Sequence, residues 1–154
     1  MKKLILSFIA GLFMASALAA EPARGTAFAL RLVVDPATTD SEPMTIEYAG
    51  RPGESVNVEK TSVLDQRAIR SAAVIKNHRG DPSIEFTLTE PGRKAFAEFT
   101  ERHVGRRLVV AINGRGRSAP VIQTPILGGR ILLSGNFTLP EAKDLVAGIN
   151  GSAK

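Results

Sequence analysis

Ser83-Ile84-Glu85-Phe86-Thr87-Leu88-Thr89 alternates polar and apolar side chains without a fault, and Glu90-Pro91-Gly92-Arg93-Lys94-Ala95-Phe96 follows it directly. A period of two belongs to a strand with one solvated face, so Ile84, Phe86 and Leu88 are expected in a core, with Glu85 and Thr87 pointing outward. Thr89 is a helix N-cap by residue type, and Pro91 suits a first turn, where its missing N–H costs little. Phe96, Phe99 and His103 then share a helix face at i, i+3 and i+7. Gly105 is placed to end that helix in a left-handed turn.

Working outward towards the C-terminus, the run Arg107 to Ile112 is apolar and β-forming, as expected of a strand buried on both faces or central in its sheet. Asn113-Gly114 is a strong hairpin signal, because both central positions of a type I′ turn need positive φ. The chain is expected to return through Arg117 to Ile122, turn at Gly128-Gly129, and form another strand from Arg130 to Ser134. Thr138-Leu139-Pro140-Glu141 is a capping box, and Ala142, Leu145, Val146 and Ile149 repeat as one face of a second helix. Asn150-Gly151 is expected to stop it.

Towards the N-terminus, Phe28 to Val34 reads as a strand closed by Asp35-Pro36. A polar loop from Ala37 to Pro43 leads into a short extended piece from Met44 to Tyr48, and Gly50-Arg51-Pro52-Gly53 is a turn by composition. Ser55 to Lys60 alternates, with Val56 and Val58 on one face. From Val63 to Asn77 the pattern is mixed: one helical turn over Asp65 to Ile69, then an extended stretch from Ala72 to Lys76. The expected fold class is α+β, a mostly antiparallel sheet with two helices packed on one face.

The first twenty residues carry a targeting signature. Lys2 and Lys3 precede an apolar run from Leu4 to Met14, and Ala17-Leu18-Ala19 fits the small-x-small pattern of a cleavage site. The apolar run falls short of the roughly 20 residues a spanning helix needs. The domain organisation expected is therefore a signal peptide at 1–20 and one domain at 21–154, with no membrane span after cleavage. The formal charge of the whole chain is +5, and removing Lys2 and Lys3 leaves 5 − 2 = +3. That mild balance, beside an export signal, argues against a nucleic-acid partner. The chain has no cysteine, so no disulfide supports the fold.

Chemistry-bearing constellations are sparse. The two histidines, His78 and His103, do not have the spacing of a ligand pair, so no metal and no cofactor is expected. No Gly-x-Ser-x-Gly elbow occurs, and the carboxylates are scattered as on a solvated surface, so no catalytic residue and no enzyme is expected. Gly114-Arg115-Gly116-Arg117 could cradle a phosphate, but it lacks the Lys-Ser/Thr end of a P-loop and reads better as a tight turn with exposed arginines.

The block from Leu108 to Ile149 resembles the head subdomain of the first periplasmic region of the SecD and SecDF translocase family. The resemblance rests on Leu108-Val109-Val110-Ala111-Ile112, Asn113-Gly114, Ser118-Ala119-Pro120, Gly129, Leu133-Ser134-Gly135-Asn136-Phe137 and Glu141-Ala142. Phe86-Thr87-Leu88 with Gly92, Phe96 and Thr100 looks like the family's strand-to-helix passage, and Leu30-Arg31-Leu32-Val33 resembles the strand that begins the region. By this resemblance the head contacts preprotein emerging from the channel. The family's flanking membrane helices and ferredoxin-like base are expected to have no counterpart here, so only surface recognition is expected to carry over.

Two functions are then open. One is a stand-alone, exported, non-enzymatic accessory in a bacterial periplasm that binds exported polypeptides or translocon subunits. The other is an envelope interaction module with one dedicated protein partner, unrelated to export. The residues expected to touch a polypeptide are Arg115, Arg117, Pro120, Ile126, Leu127 and Phe137.

Overall fold

Burial alternates along the first strand, β1 (Phe28–Leu32): Phe28, Leu30 and Leu32 are buried, while Ala29 and Arg31 are only partly so. The computed structural model describes residues 27–48, 52–135 and 137–152. The expected signal peptide and the Gly50-Arg51 half of the expected turn lie outside the described residues. β2 (Ser41–Ile46) and β3 (Glu54–Glu59) form an antiparallel hairpin. β2 begins earlier than the expected Met44 and runs through Pro43. On its other side β2 pairs only at Ile46, so Pro43 lies where one edge is open and a missing N–H is tolerated.

Both halves of the mixed segment form. After β4 (Leu64–Asp65), the Asp65 side chain accepts from the Arg67 N–H at 2.9 Å and caps a single 3-10 turn, Gln66–Ala68. β5 (Ile69–Lys76) follows, then β6 (Pro82–Leu88) and α1 (Glu90–Arg102), whose N-cap Thr89 accepts from the Gly92 N–H at 3.3 Å. β7 (Leu108–Ile112) and β8 (Arg115–Ser118) are joined through Asn113 and Gly114 at φ 52° and 76°, the positive pair the hairpin requires. β9 (Arg130–Ser134) leads to α2 (Leu139–Ser152), opened by Thr138 and Glu141 bonding one another's backbone N–H at 2.8 and 3.3 Å.

The helix does not stop at Asn150-Gly151 but runs through it to Ser152. The Asn150 side chain is engaged elsewhere. Its Oδ1 accepts from the Ala72 N–H at 2.8 Å and its Nδ2 donates to the Ala72 carbonyl at 3.0 Å, as a neighbouring strand would.

The strands divide between two sheets, ordered β3-β2-β8-β7-β1-β4 and β5-β6-β9. All pairs are antiparallel except β2 with β8. The α+β class stands, and the chain passes between the two sheets three times: through the 3-10 turn from β4 to β5, through α1 from β6 to β7, and from β8 to β9. The larger sheet also curls: Val33 bridges Val58, and the Val34 N–H donates to the Asn57 carbonyl at 2.9 Å. β3 thereby returns to the end of β1, and the sheet becomes a partly closed barrel.

That curl makes two cores. One lies between the sheets and the helices and contains Phe28, Leu30, Phe86, Phe96, Leu108 and Val110, with the Phe28 and Phe86 rings 4.7 Å apart. The other fills the curl with Met44, Ile46, Val58, Val109 and Ala111. β7 contributes to both, which is why all five of its residues are buried. Burial of each large side chain stabilises the fold by about 2–3 kcal/mol. Both helices contact the smaller sheet, α2 through β5 and β6 and α1 through β6. Gln66 ties the layers together, accepting from the Phe28 N–H at 3.2 Å and donating to the Ile149 carbonyl at 3.0 Å.

Candidate functional site

An apolar slot opens where the two sheets meet. β9 pairs only with β6, so its other edge carries no strand among the described residues. Facing it is the chain that continues β8. There the Leu108 N–H donates to the Pro120 carbonyl and the Ile122 N–H to the Arg106 carbonyl, both at 2.9 Å. The chain then crosses to α1, where the Ile126 N–H donates to Thr100 Oγ1 at 2.9 Å. Thr100 is fully buried, and its hydroxyl lies 2.9 Å from the Phe96 carbonyl of its own helix, so the crossing segment is fixed from inside.

The resulting cavity measures about 280 Å³. Leu30, Phe96, Leu108 and Val110 line it from the core, while Pro120, Val121, Ile126 and Leu132 line its walls. Val121 and Leu132 are 43% and 53% exposed, so its walls present apolar surface to water. A slot with an unpaired strand edge, apolar walls and few polar groups is suited to an extended peptide: the edge offers backbone hydrogen bonds and the walls offer side-chain contacts.

The six residues expected to touch a polypeptide fall into two groups. Pro120 and Ile126 line the slot, and Leu127, 63% exposed, is the next residue along the chain. Arg115, Arg117 and Phe137 are not among its lining. Arg115 and Arg117 both reach Glu47, at 3.1 and 3.4 Å, and Arg117 also lies over the Phe137 ring, 5.2 Å from its centre. Phe137 is itself buried, as large aromatics usually are. Val121 and Leu132 escaped sequence reading. The signal for Leu132 was present, since Ile131-Leu132-Leu133 places a leucine on the outward face of an alternating strand.

Elsewhere the charged side chains hold structure. Arg107 donates to both Glu54 carboxylate oxygens, at 2.6 and 2.8 Å, and the Tyr48 hydroxyl donates to Glu54 at 2.9 Å. The Arg107 bonds, and after them the Tyr48 bond, hold the Glu54 pKa down at about 2. This cluster links the ends of β2 and β3 to the start of β7 across the curl. Glu141 is also held below the usual carboxylate range, by its bonds to the Thr138 backbone and hydroxyl. Arg31 pairs with Glu42. Among the described residues, no group of three or more His, Asp or Glu is arranged to hold a metal ion. No helix among them is long and apolar enough to cross a membrane.

An α+β unit in which a curled sheet and a smaller helix-covered sheet share a core is a recognisable module class. The chain belongs to the SecDF P1 head subdomain family, whose model matches residues 42–153. It is similar to the protein translocase subunits SecD of Sebaldella termitidis, 38% identical over 65% of this chain and 24% of that protein, and Aquifex aeolicus, 34% identical over 75% of this chain and 24% of that protein. The match to SecD of Magnetococcus marinus is 31% identical over 73% of this chain and 21% of that protein. The chain thus spans about a quarter of the length of these curated relatives. A solved structure described as "a membrane component SecDF that enhances protein export" shares the fold, with TM-score 0.67 and 22% identity over 82% of this chain and 63% of that one.

Proposed function

We propose that this chain binds extended polypeptide in the slot beside β9, as a non-enzymatic accessory to protein export in the bacterial periplasm. The proposal includes a signal peptide at residues 1–20 that is removed, and a head domain at 21–154 that works free of the membrane. The carrying observation is the β9 edge, unpaired among the described residues, alongside apolar walls that include Val121 and Leu132, exposed by 43% and 53%. A monomeric protein gains no stability from keeping such side chains in water, whereas a peptide strand would cover both edge and walls. Family membership supports the same reading, since the relatives bear the name protein translocase subunit and the fold is found in a component described as enhancing protein export.

The test is photo-crosslinking in cells, with the crosslinking amino acid placed at Val121, at Leu132 and, as a control, at Arg79 in the exposed turn between β5 and β6. Adducts with many newly exported chains or with translocon subunits, formed from the first two sites and not from the third, are the expected result. Adducts with one unrelated envelope protein would replace this reading with that of a dedicated interaction module.

A further inference from the structure

Beside the slot lies a second hollow, of about 270 Å³, and its lining is polar. Three arginines from three elements converge on it: Arg70 of β5, Arg93 of α1 and Arg130 of β9. Arg130 also lines the slot, so the two depressions share it as a common wall.

The backbone aims these side chains. The register between β5 and β6 shifts between Ile69 and Ser71, so Arg70 is the extra residue of a bulge, a device that re-aims a side chain. Thr87 stands opposite Ser71 on one side and Arg130 on the other, which sets the bulge and Arg130 on either side of one β6 residue. Arg93 is held over the Gly128-Gly129 turn: its Nη1 donates to the Leu127 carbonyl at 3.3 Å, and its Nε and Nη2 donate to Glu90 at 2.9 and 2.5 Å. Gly129 makes room for it. At φ 64° this position suits glycine, and a Cβ there would lie 2.7 Å from Arg93 Cγ.

Donor capacity is left over. A guanidinium has five N–H donors, and Arg93 uses three of them. The Arg70 side chain makes no hydrogen bond or ion pair among the described residues, and Arg130 is held only by a long ion pair with Glu85, at 3.9 Å and beyond hydrogen-bond distance, so its N–H donors stay open. Three guanidiniums face a single lining carboxylate, Glu90. Such a cluster is built to receive an anion, and a carboxylate accepts the planar fork of arginine in paired hydrogen bonds.

We propose that Arg70, Arg93 and Arg130 form a carboxylate subsite, which takes an acidic side chain of the polypeptide seated in the neighbouring slot. This inference rests on the slot reading and adds a selectivity to it. A chain running along β9 past Arg130 carries its side chains from apolar walls to a basic hollow, so the preferred segment is apolar with an Asp or Glu at that end.

The experiment is fluorescence anisotropy of the full chain with labelled apolar nonapeptides that differ only in Glu or Gln at one end, with each end tested in turn. One of the two Glu peptides is expected to bind about tenfold tighter than its Gln partner at low ionic strength, with the preference shrinking as salt is added. In an Arg70→Gln, Arg93→Gln double variant the preference is expected to fall below about twofold while the Gln peptide binds as before, which also shows that the variant is folded. Equal binding of Glu and Gln peptides by the unaltered chain overturns the subsite and leaves the slot standing. A preference that survives in the double variant overturns the assignment to these arginines. Failure of every peptide to bind overturns slot and subsite together.

Discussion

Replacing Asn150 by alanine removes a side chain that stands in for a strand on the outer edge of β5. In the folded protein the Ala72 N–H and carbonyl both bond to it, at 2.8 and 3.0 Å, across 78 residues of chain. Ala72 is only 7% exposed, so neither group regains full contact with water when the partner goes. An unpaired buried polar group costs about 1–3 kcal/mol. Because the bonds are only part-buried, the lower end applies, and the two together should cost about 2 kcal/mol. For a domain of this size that lowers the melting temperature by roughly 6–8 °C. Urea denaturation measures the loss, and amide exchange locates it: Ala72 should lose more protection than its neighbours in β5. Asn150→Asp is the companion variant, since it keeps an acceptor for the Ala72 N–H and should preserve that amide's protection. A loss below about 0.5 kcal/mol, the range of an ordinary surface substitution, with Ala72 protection unchanged, would refute the reasoning.

Three further outcomes follow from the same structure. Glu54 should titrate near 2 in carboxyl NMR, against an ordinary value of 4.5. A carboxylate with a depressed folded pKa contributes stability above its unfolded pKa and loses it as pH falls through the folded one, so this contribution fades from about 4.5 down to about 2. In Arg107→Gln the midpoint should move back up and that acid dependence should flatten; a midpoint that stays near 2 would remove Arg107 as the cause. Gly129→Ala should cost about 1–2 kcal/mol, because alanine is strained in the left-handed region and its Cβ displaces Arg93, and a melt unchanged from the unaltered chain would contradict this. Leu132→Ser should weaken peptide binding several-fold with stability changed by less than about 0.5 kcal/mol, since the side chain is already half in water; unchanged affinity would count against the slot.

Local elements were readable because their causes are local. Thr89 and Thr138 as caps, Asn113-Gly114 as the hairpin and the alternation from Ile84 to Leu88 each depend on residues within a few positions of one another. What depends on distant residues was not. Nothing in the pattern of β1 and β3 says that Val33 will bridge Val58 and curl the sheet, and strand signals do not state which strands share a sheet. Asn150-Gly151 looked like a helix stop because asparagine and glycine usually end helices, but the demand of the β5 edge kept Asn150 inside one.

The site was half readable for the same reason. Pro120 and Ile126 stood out as apolar residues in loops, and both line the slot. Leu132 was absorbed into a strand, and its exposure is visible only once β9 is known to be an edge. Arg115 and Arg117 looked like free cations because Glu47, 68 and 70 residues away, cannot be paired with them from sequence.

The most direct test of peptide binding at β9 is amide NMR of the chain titrated with an extended apolar peptide. Shifts concentrated at 120–126 and 130–134, with slowed exchange of β9 amides, are the result expected of a strand added to that edge. Saturable binding with shifts confined to the barrel side, around Arg115 and Glu47, would place the polypeptide elsewhere and contradict the assignment.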